Sequence, residues 1–234
     1  MTRVAPGVFV TGTDTGVGKT RVSCALLGAL RARGLDVGAM KPIETGVGPE
    51  GPLDAIALRA AAGAADPLDE VCPQRFRLPA APSVAAEAEA RAVDLAAIEA
   101  AFERIRTRHA WVLAEGAGGL LVPIGAGLTM AELAARLGLC LLVVARARLG
   151  TLSHTLLTLE AARARRLRVA GVVVSRAEPE LPDGDARNLA ALRRELGELW
   201  LGELPFLPAG AGAPPGAIDV DRLLRRVSDQ GSAA

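Results

Sequence analysis

The sequence predicts a single α/β domain, spanning residues 1–234, with a mainly parallel β-sheet flanked by helices on both faces. Three observations predict it. Apolar runs of strand length alternate with longer Ala/Leu/Arg stretches of helical period, the pattern of βαβ units. The strand runs are continuously apolar, as strands covered on both faces are. The 234 residues suffice for one α/β domain with a sizeable core.

The elements follow in order. Val8-Phe9-Val10 opens a strand over 8–12, and a helix is expected near 19–33. A second strand covers 37–42, where Pro42 ends it and Gly46 permits a close turn. Asp54 opens a helix over 53–62 after a Gly/Pro-rich loop. Residues 64–82, rich in Pro and Ala, read as a long irregular excursion. A helix near 95–108 leads to Trp111-Val112-Leu113-Ala114, a strand over 111–115. Helices near 130–137, 153–166 and 186–196 then alternate with strands 139–145, 169–174 and 199–204. Residues 208–217 read as a Gly/Pro linker to a short last helix near 220–227, and 231–234 as a frayed tail. The Arg-rich stretch 163–168 reads as a solvated helix face, with anion binding as the alternative.

Composition excludes several functions. The net charge of +1 offers nothing to nucleic acid or an anionic membrane. Aromatic residues are 3% and tyrosine is absent, which excludes stacking platforms for single strands. Three scattered cysteines (Cys24, Cys72, Cys140) and two histidines form neither a disulfide framework nor a zinc pattern. The N-terminal apolar run is too short for a signal peptide, and no run of about 18 apolar residues follows. A soluble, cytoplasmic protein is expected.

Two of the 27 basic residues are lysines, Lys19 and Lys41, and both fall at strand ends inside glycine-containing motifs. A composition bias toward Arg does not explain their positions. A compact ammonium suits a phosphate oxygen in a tight loop better than a planar guanidinium does.

Thr11-Gly12-Thr13-Asp14-Thr15-Gly16-Val17-Gly18-Lys19-Thr20 follows one strand and opens a helix. There, backbone N–H groups and the helix N-terminus converge on an anion. Lys19 is expected to reach the β- and γ-phosphates of a nucleoside triphosphate, and the Thr20 hydroxyl to ligate Mg2+. The fold is therefore P-loop NTPase-like. Five residues separate Gly12 from Gly18, against four in the commonest form of the loop. A ligand-free glycine turn is the alternative.

A triphosphate loop needs carboxylates to hold Mg2+. Glu115, at the end of an apolar strand and ahead of Gly116-Ala117-Gly118-Gly119, is one candidate. Asp54 is a second, with an ordinary helix N-cap as its alternative. Lys41-Pro42-Ile43-Glu44-Thr45-Gly46 places a second ammonium at the same sheet edge, suited to gathering a nucleotide and an anionic acceptor. A snorkelling surface lysine is the alternative there.

Together these motifs resemble the dethiobiotin synthetase family. The matching pieces run from Val10 to Thr20, then Lys41-Pro42 with Thr45-Gly46, Asp54, Glu115 to Gly119, Leu149-Gly150-Thr151-Leu152-Ser153-His154, and Gly202-Glu203-Leu204-Pro205. They cover roughly residues 7–207 in family order, and the long loop spacing is usual there. The resemblance implies that 7,8-diaminononanoate, CO2 and ATP become dethiobiotin, ADP and phosphate. An amine captures CO2 as a carbamate, whose oxygen attacks the γ-phosphorus. The second amine closes the cyclic urea and expels phosphate.

By the same resemblance, Lys41, Lys19 and Thr15 are the catalytic residues. Gly16, Val17, Gly18, Lys19, Thr20 and Arg21 contact the nucleotide, with Asp54, Glu115, Gly116, Ala117 and Gly118. Ser175, Arg176, Pro205, Phe206 and Leu207 would surround its base. Thr20, Asp54 and Glu115 would hold Mg2+. Thr15, Lys41, Thr45 and Gly118 would meet the substrate, as would Leu149, Gly150 and Ser153 across a homodimer. Ser153 stands where Asn is common. Ser175-Arg176 stands where well-known members carry an Asn that reads adenine, and Asn188 is this chain's one Asn. Weak or shifted base discrimination is therefore expected.

Other readings compete. Partition or septum-site ATPase switches share the sheet but carry a second lysine early in the loop, where this chain has Thr13, Asp14 and Thr15. A cobyrinate-type amide synthetase needs a glutamine-hydrolysing domain, for which the length is insufficient. A nucleotide-binding module without chemistry is the last.

Overall fold

The computed structural model describes residues 5–63, 65–208 and 211–228. The N-terminal half contains β1 (Gly7–Gly12), α1 (Lys19–Arg31), β2 (Val37–Met40), β3 (Ile43–Thr45) and α2 (Leu53–Ala62). Then come α3 (Leu68–Val71), β4 (Gln74–Phe76), α4 (Pro82–Ala88) and α5 (Leu95–Arg108). The middle holds β5 (Trp111–Gly119), β6 (Pro123–Gly125), β7 (Leu128–Thr129), α6 (Met130–Arg136) and β8 (Cys140–Arg146). α7 (Thr151–Ala164), β9 (Val169–Ser175), α8 (Asp183–Leu196), β10 (Trp200–Leu204) and α9 (Val220–Ser228) complete it.

Six strands form one parallel sheet in the order β10-β9-β8-β1-β5-β2. Its strands read as unbroken apolar runs because both faces are covered. Val8 and Val10 point to the face packed by α1, α2 and α9, through Leu26, Leu27, Leu58 and Leu223. Phe9, between them, points to the opposite face, against Ile98, Phe102 and Leu133 of α5 and α6. Each fully buried leucine contributes about 1.5–3 kcal/mol relative to exposure. β1 lies between β5 and β8. The chain leaves β1 toward β2 on one side and builds β8, β9 and β10 on the other. A ligand crevice therefore opens beyond the carboxyl end of β1, at this switch point. Among the described residues no helix is long and apolar enough to cross a membrane.

The structure differs from the sequence reading in places. The stretch 64–82 holds α3 and β4, and β4 pairs in parallel with β3 through Ile43–Gln74 and Thr45–Phe76. Buried Val71, Cys72 and Phe76 anchor these short elements, whose Pro- and Ala-rich surroundings conceal them. α4 and the β6–β7 hairpin have too few residues for a periodic signal. β5 runs four residues past the expected end, so Glu115 sits within the strand. β2 stops at Met40, before Lys41. α7 starts at Thr151 behind left-handed Gly150, and α8 starts at Asp183. Within the expected linker, 208 and 211–217 carry no helix or strand. Residues 209–210 and the expected tail 231–234 lie outside the described residues.

Candidate active site

The loop between β1 and α1 is held at both sides. Thr13 N–H donates to the Val144 carbonyl at 2.9 Å, and Thr15 N–H to Asp14 Oδ1 at 2.7 Å. Gly18 occupies the N-cap of α1 at φ 97, a left-handed conformation open to glycine. A Cβ there would also lie 2.5 Å from Ser175 Oγ. No side chain caps α1, so its first N–H groups and its positive dipole end stay available to an anion. Lys19 begins this turn, is 8% exposed, and its Nζ donates to the Asp14 carbonyl at 3.3 Å.

Opposite the loop lies a buried charge cluster. Glu115 is 0% exposed on β5, and Lys41, just past β2, is 3% exposed. The Lys41 ammonium donates to Glu115 Oε1 at 2.6 Å and to Asp54 Oδ2 at 2.7 Å. Neighbouring strands β2 and β5 bring Lys41 and Glu115 together, and α2 delivers Asp54 from above. Thr20 Oγ1 donates to the same Glu115 Oε1 at 2.8 Å. Burial alone would weaken the Lys41 proton, but Glu115 and Asp54 outweigh it and raise the pKa above the ordinary lysine value. Burial likewise pushes the Asp54 carboxyl up, and the Lys41 charge and hydrogen bond reverse that, leaving it lowered. Lys41 is thus no surface lysine. Asp54 is no N-cap either: Pro52 holds that position.

Two residues of this cluster escaped the sequence reading. Ser23 Oγ donates to Glu115 Oε2 at 2.7 Å. Its signal was a serine inside the otherwise apolar buried stripe of α1, which includes Val22, Leu26, Leu27 and Leu30. Glu44 accepts the backbone N–H groups of Asp54 and Ala55, each at 3.0 Å. It supplies the cap that Pro52 cannot, and so fixes the helix end that carries Asp54. Burial raises the Glu44 pKa, against the opposing effect of these two N–H donors.

Lys19 behaves differently from Lys41. Burial, then repulsion from Lys41, lowers its pKa to about 8, against the opposing pull of Glu115, Asp54 and Asp14. Phosphate binding favours the charged form. The Lys19 contribution to nucleotide affinity is therefore expected to be fully present below that value. It should fall as pH rises through about 8, by up to about tenfold per pH unit. Titrating a fluorescent nucleotide at several pH values checks this. Lys19→Arg, charged throughout, should lose the slope.

A cleft of about 320 Å³ collects these groups: Thr15, Gly16, Lys19, Thr20 and Arg21 on one side, Lys41, Thr45 and Asp54 on the other, and Ala117 and Gly118 at the base. Gly118 has φ 65, and its position faces the Thr15 hydroxyl. The Gly116 carbonyl lies 3.5 Å from Lys41 Nζ. Val17 points instead into the core, which anchors the loop. A second cleft, of about 380 Å³ between α4 and β6, is mostly lined by small and apolar residues and gathers no comparable charge.

The remaining candidates lie outside this cleft. Ser175 ends β9, buried against Gly18. The Arg176 guanidinium is paired with Glu203. Arg21 donates to the carbonyls of Arg176 at 2.9 Å and Pro205 at 3.4 Å, tying α1 to the ends of β9 and β10. Phe206 is exposed beside Pro205, and Leu207 packs on the core. Leu149, 74% exposed, with Gly150 and exposed Ser153, forms the N-terminal end of α7.

A family profile described as an AAA domain matches residues 6–212. The ATP-dependent dethiobiotin synthetase BioD of Anaeromyxobacter dehalogenans is 51% identical over 202 residues, covering 86% of this chain and 91% of its own. The protein of that name from Aromatoleum aromaticum is 42% identical over 214 residues, covering 90% and 93%. Among solved structures, the MinD cell division protein of Aquifex aeolicus superposes with a TM-score of 0.56 at 16% identity, over 98% of this chain and 99% of that one. The pNOB8 ParA protein bound to nonspecific DNA gives 0.60 at 12% identity, over 97% and 99%. At such identities the likeness is one of fold alone. The relatives, in contrast, align along most of their own length, and the chain belongs to the family of the ATP-dependent dethiobiotin synthetases.

Proposed function

We propose that this chain catalyses the ATP-dependent synthesis of dethiobiotin from 7,8-diaminononanoate and CO2, with Mg2+ as cofactor, in the cytoplasm. The observation that carries the reading is the buried Lys41 ammonium, set against Glu115 and Asp54 in the same cleft as the phosphate loop. A plain nucleotide binder needs no second buried cation facing the loop. A carbamate approaching a γ-phosphate does, because negative charge accumulates there. In this reading the α1 N-terminus and Lys19 cradle the phosphates. Thr15 and Thr45 donate hydrogen bonds to carbamate or phosphate oxygens, and Gly118 lets the substrate approach the backbone. Lys41 steadies the carbamate and the transferring phosphoryl group. The substrate's own amines supply both nucleophiles, so the protein's work is positioning and charge balance.

The donor set suits Mg2+. Thr20, Asp54 and Glu115 offer a hydroxyl and two carboxylates, the few hard oxygens that a magnesium ion takes alongside phosphates and water. When bound, Mg2+ would neutralise charge on the phosphates. Among the described residues no group of three or more His, Cys, Asp or Glu side chains is placed to hold a metal.

Leu149, just ahead of α7, and Leu157 within it, 74% and 64% exposed, support a homodimer in which the end of α7 reaches the partner's substrate. Phosphate release in the presence of ATP and Mg2+ tests the main reading. It should require both diaminononanoate and bicarbonate. Release at full rate with neither would assign the chain to the ATPase switches instead.

The base is read weakly in this proposal. With Arg176 engaged by Glu203 and Ser175 packed on Gly18, no side-chain amide stands at the ends of β9 and β10. Selectivity of 10⁴ or more, roughly, comes from sites built to hydrogen-bond the correct group. Other nucleoside triphosphates should therefore give kcat/KM within about a hundredfold of ATP. Parallel kinetics with GTP, CTP and UTP measure it, and a larger preference for ATP would contradict it.

A further inference from the structure

The Lys41 ammonium lies between Asp54 Oδ2 and Glu115 Oε1, and its third contact is the Gly116 carbonyl. All three of its donors are thus directed at protein oxygens. Glu115 has little freedom in how it could receive a metal. Its Oε2 is turned inward to Ser23, so Oε1 is the oxygen on the cleft side, and Lys41 already takes it. A magnesium ion held by Asp54 and Glu115 would draw on the same carboxylates that the Lys41 ammonium now pairs with. The two cations are close competitors, and their repulsion in a buried site is large.

We propose that Lys41 is a displaceable internal counter-ion: its ammonium holds Asp54 and Glu115 together until a divalent metal arrives with the nucleotide, and the metal then moves it off them toward the transferring phosphoryl group. This rests on the reading of Asp54 and Glu115 as metal ligands. The arrangement has two consequences. Glu115 is never left as an uncompensated charge beneath the cleft. The reactive lysine also reaches its working position only when metal and nucleotide are both present, because phosphate oxygens supply the metal's remaining ligands. Asp54 makes the exchange feasible: its side chain is 42% exposed and can turn, whereas Glu115 is fixed by Ser23 and Thr20.

Mn2+ binding followed by electron paramagnetic resonance tests this on the full chain. Without nucleotide, Lys41→Gln should bind Mn2+ at least about tenfold more tightly than wild type, because its competitor is gone. Equal or weaker binding by the folded variant overturns the proposal. Wild type with ADP is the control. If it binds no Mn2+ even then, the metal-site reading itself fails. If Lys41→Gln does not fold, the wild type decides. The chain has two lysines, so ¹⁵N-labelled lysine gives two side-chain ammonium signals, assigned with Lys19→Arg. Hydrogen exchange at the Lys41 ammonium should accelerate at least about tenfold with ADP and Mg2+ and stay slow with ADP and a chelator. Exchange unchanged by Mg2+, with Mn2+ shown to bind, overturns it.

Discussion

Lys41→Met should lower kcat by about 10²–10³-fold, the usual loss when one preorganised charge facing a transition state is removed. Affinity for ADP, which the loop and Lys19 govern, should change by less than about tenfold. The asymmetry is the informative part. A lysine serving the phosphates alone would weaken nucleotide binding and turnover together. Lys41→Arg is not expected to rescue activity. The site is 3% exposed and shaped around a single nitrogen 2.6 Å and 2.7 Å from two carboxylate oxygens. A planar fork needs more room and a different acceptor geometry. Steady-state kinetics with all three substrates, beside calorimetry with ADP, measure both quantities. A Lys41→Met enzyme with near-normal kcat would remove this residue from the chemistry.

The sheet was legible in the sequence because long, doubly covered strands leave unbroken apolar runs, and five of the six both begin and end within two residues of their expected limits. The short elements were not. β3, β4, β6 and β7 have two or three residues each, and such lengths carry no period. The cluster was legible as a set of residues but not as an arrangement. Lys41 looked like a partner for phosphate, and its sequence neighbours gave no sign that two carboxylates already hold it. That contact joins residues 74 positions apart, through the pairing of β2 with β5. Ser23 and Glu44 were missed for related reasons. Each supports a functional carboxylate from another element, and only the fold brings the pairs together.

Glu115→Gln should be the most destabilising conservative change in the cleft. The carboxylate is fully buried, and its two oxygens accept from Lys41, Thr20 and Ser23. An amide keeps the shape but removes the charge and turns one of the two acceptors into a donor. Ser23 or Thr20 then faces an N–H, and the Lys41 ammonium loses its nearer counter-ion while staying buried. Breaking a buried pair on one side costs about 3–5 kcal/mol. For a chain of this size each kcal/mol moves Tm by about 2–4 °C, so a fall of about 6–20 °C is expected. Asp54→Asn should cost far less, under about 1 kcal/mol, because water screens its 42% exposed side chain. The double variant Glu115→Gln with Lys41→Met distinguishes this account from simple loss of packing. Removing the stranded ammonium should recover part of the loss, so the two changes combine less than additively. Thermal melts of the two single variants and the double one decide the matter: strict additivity would mean that Lys41 and Glu115 do not support each other.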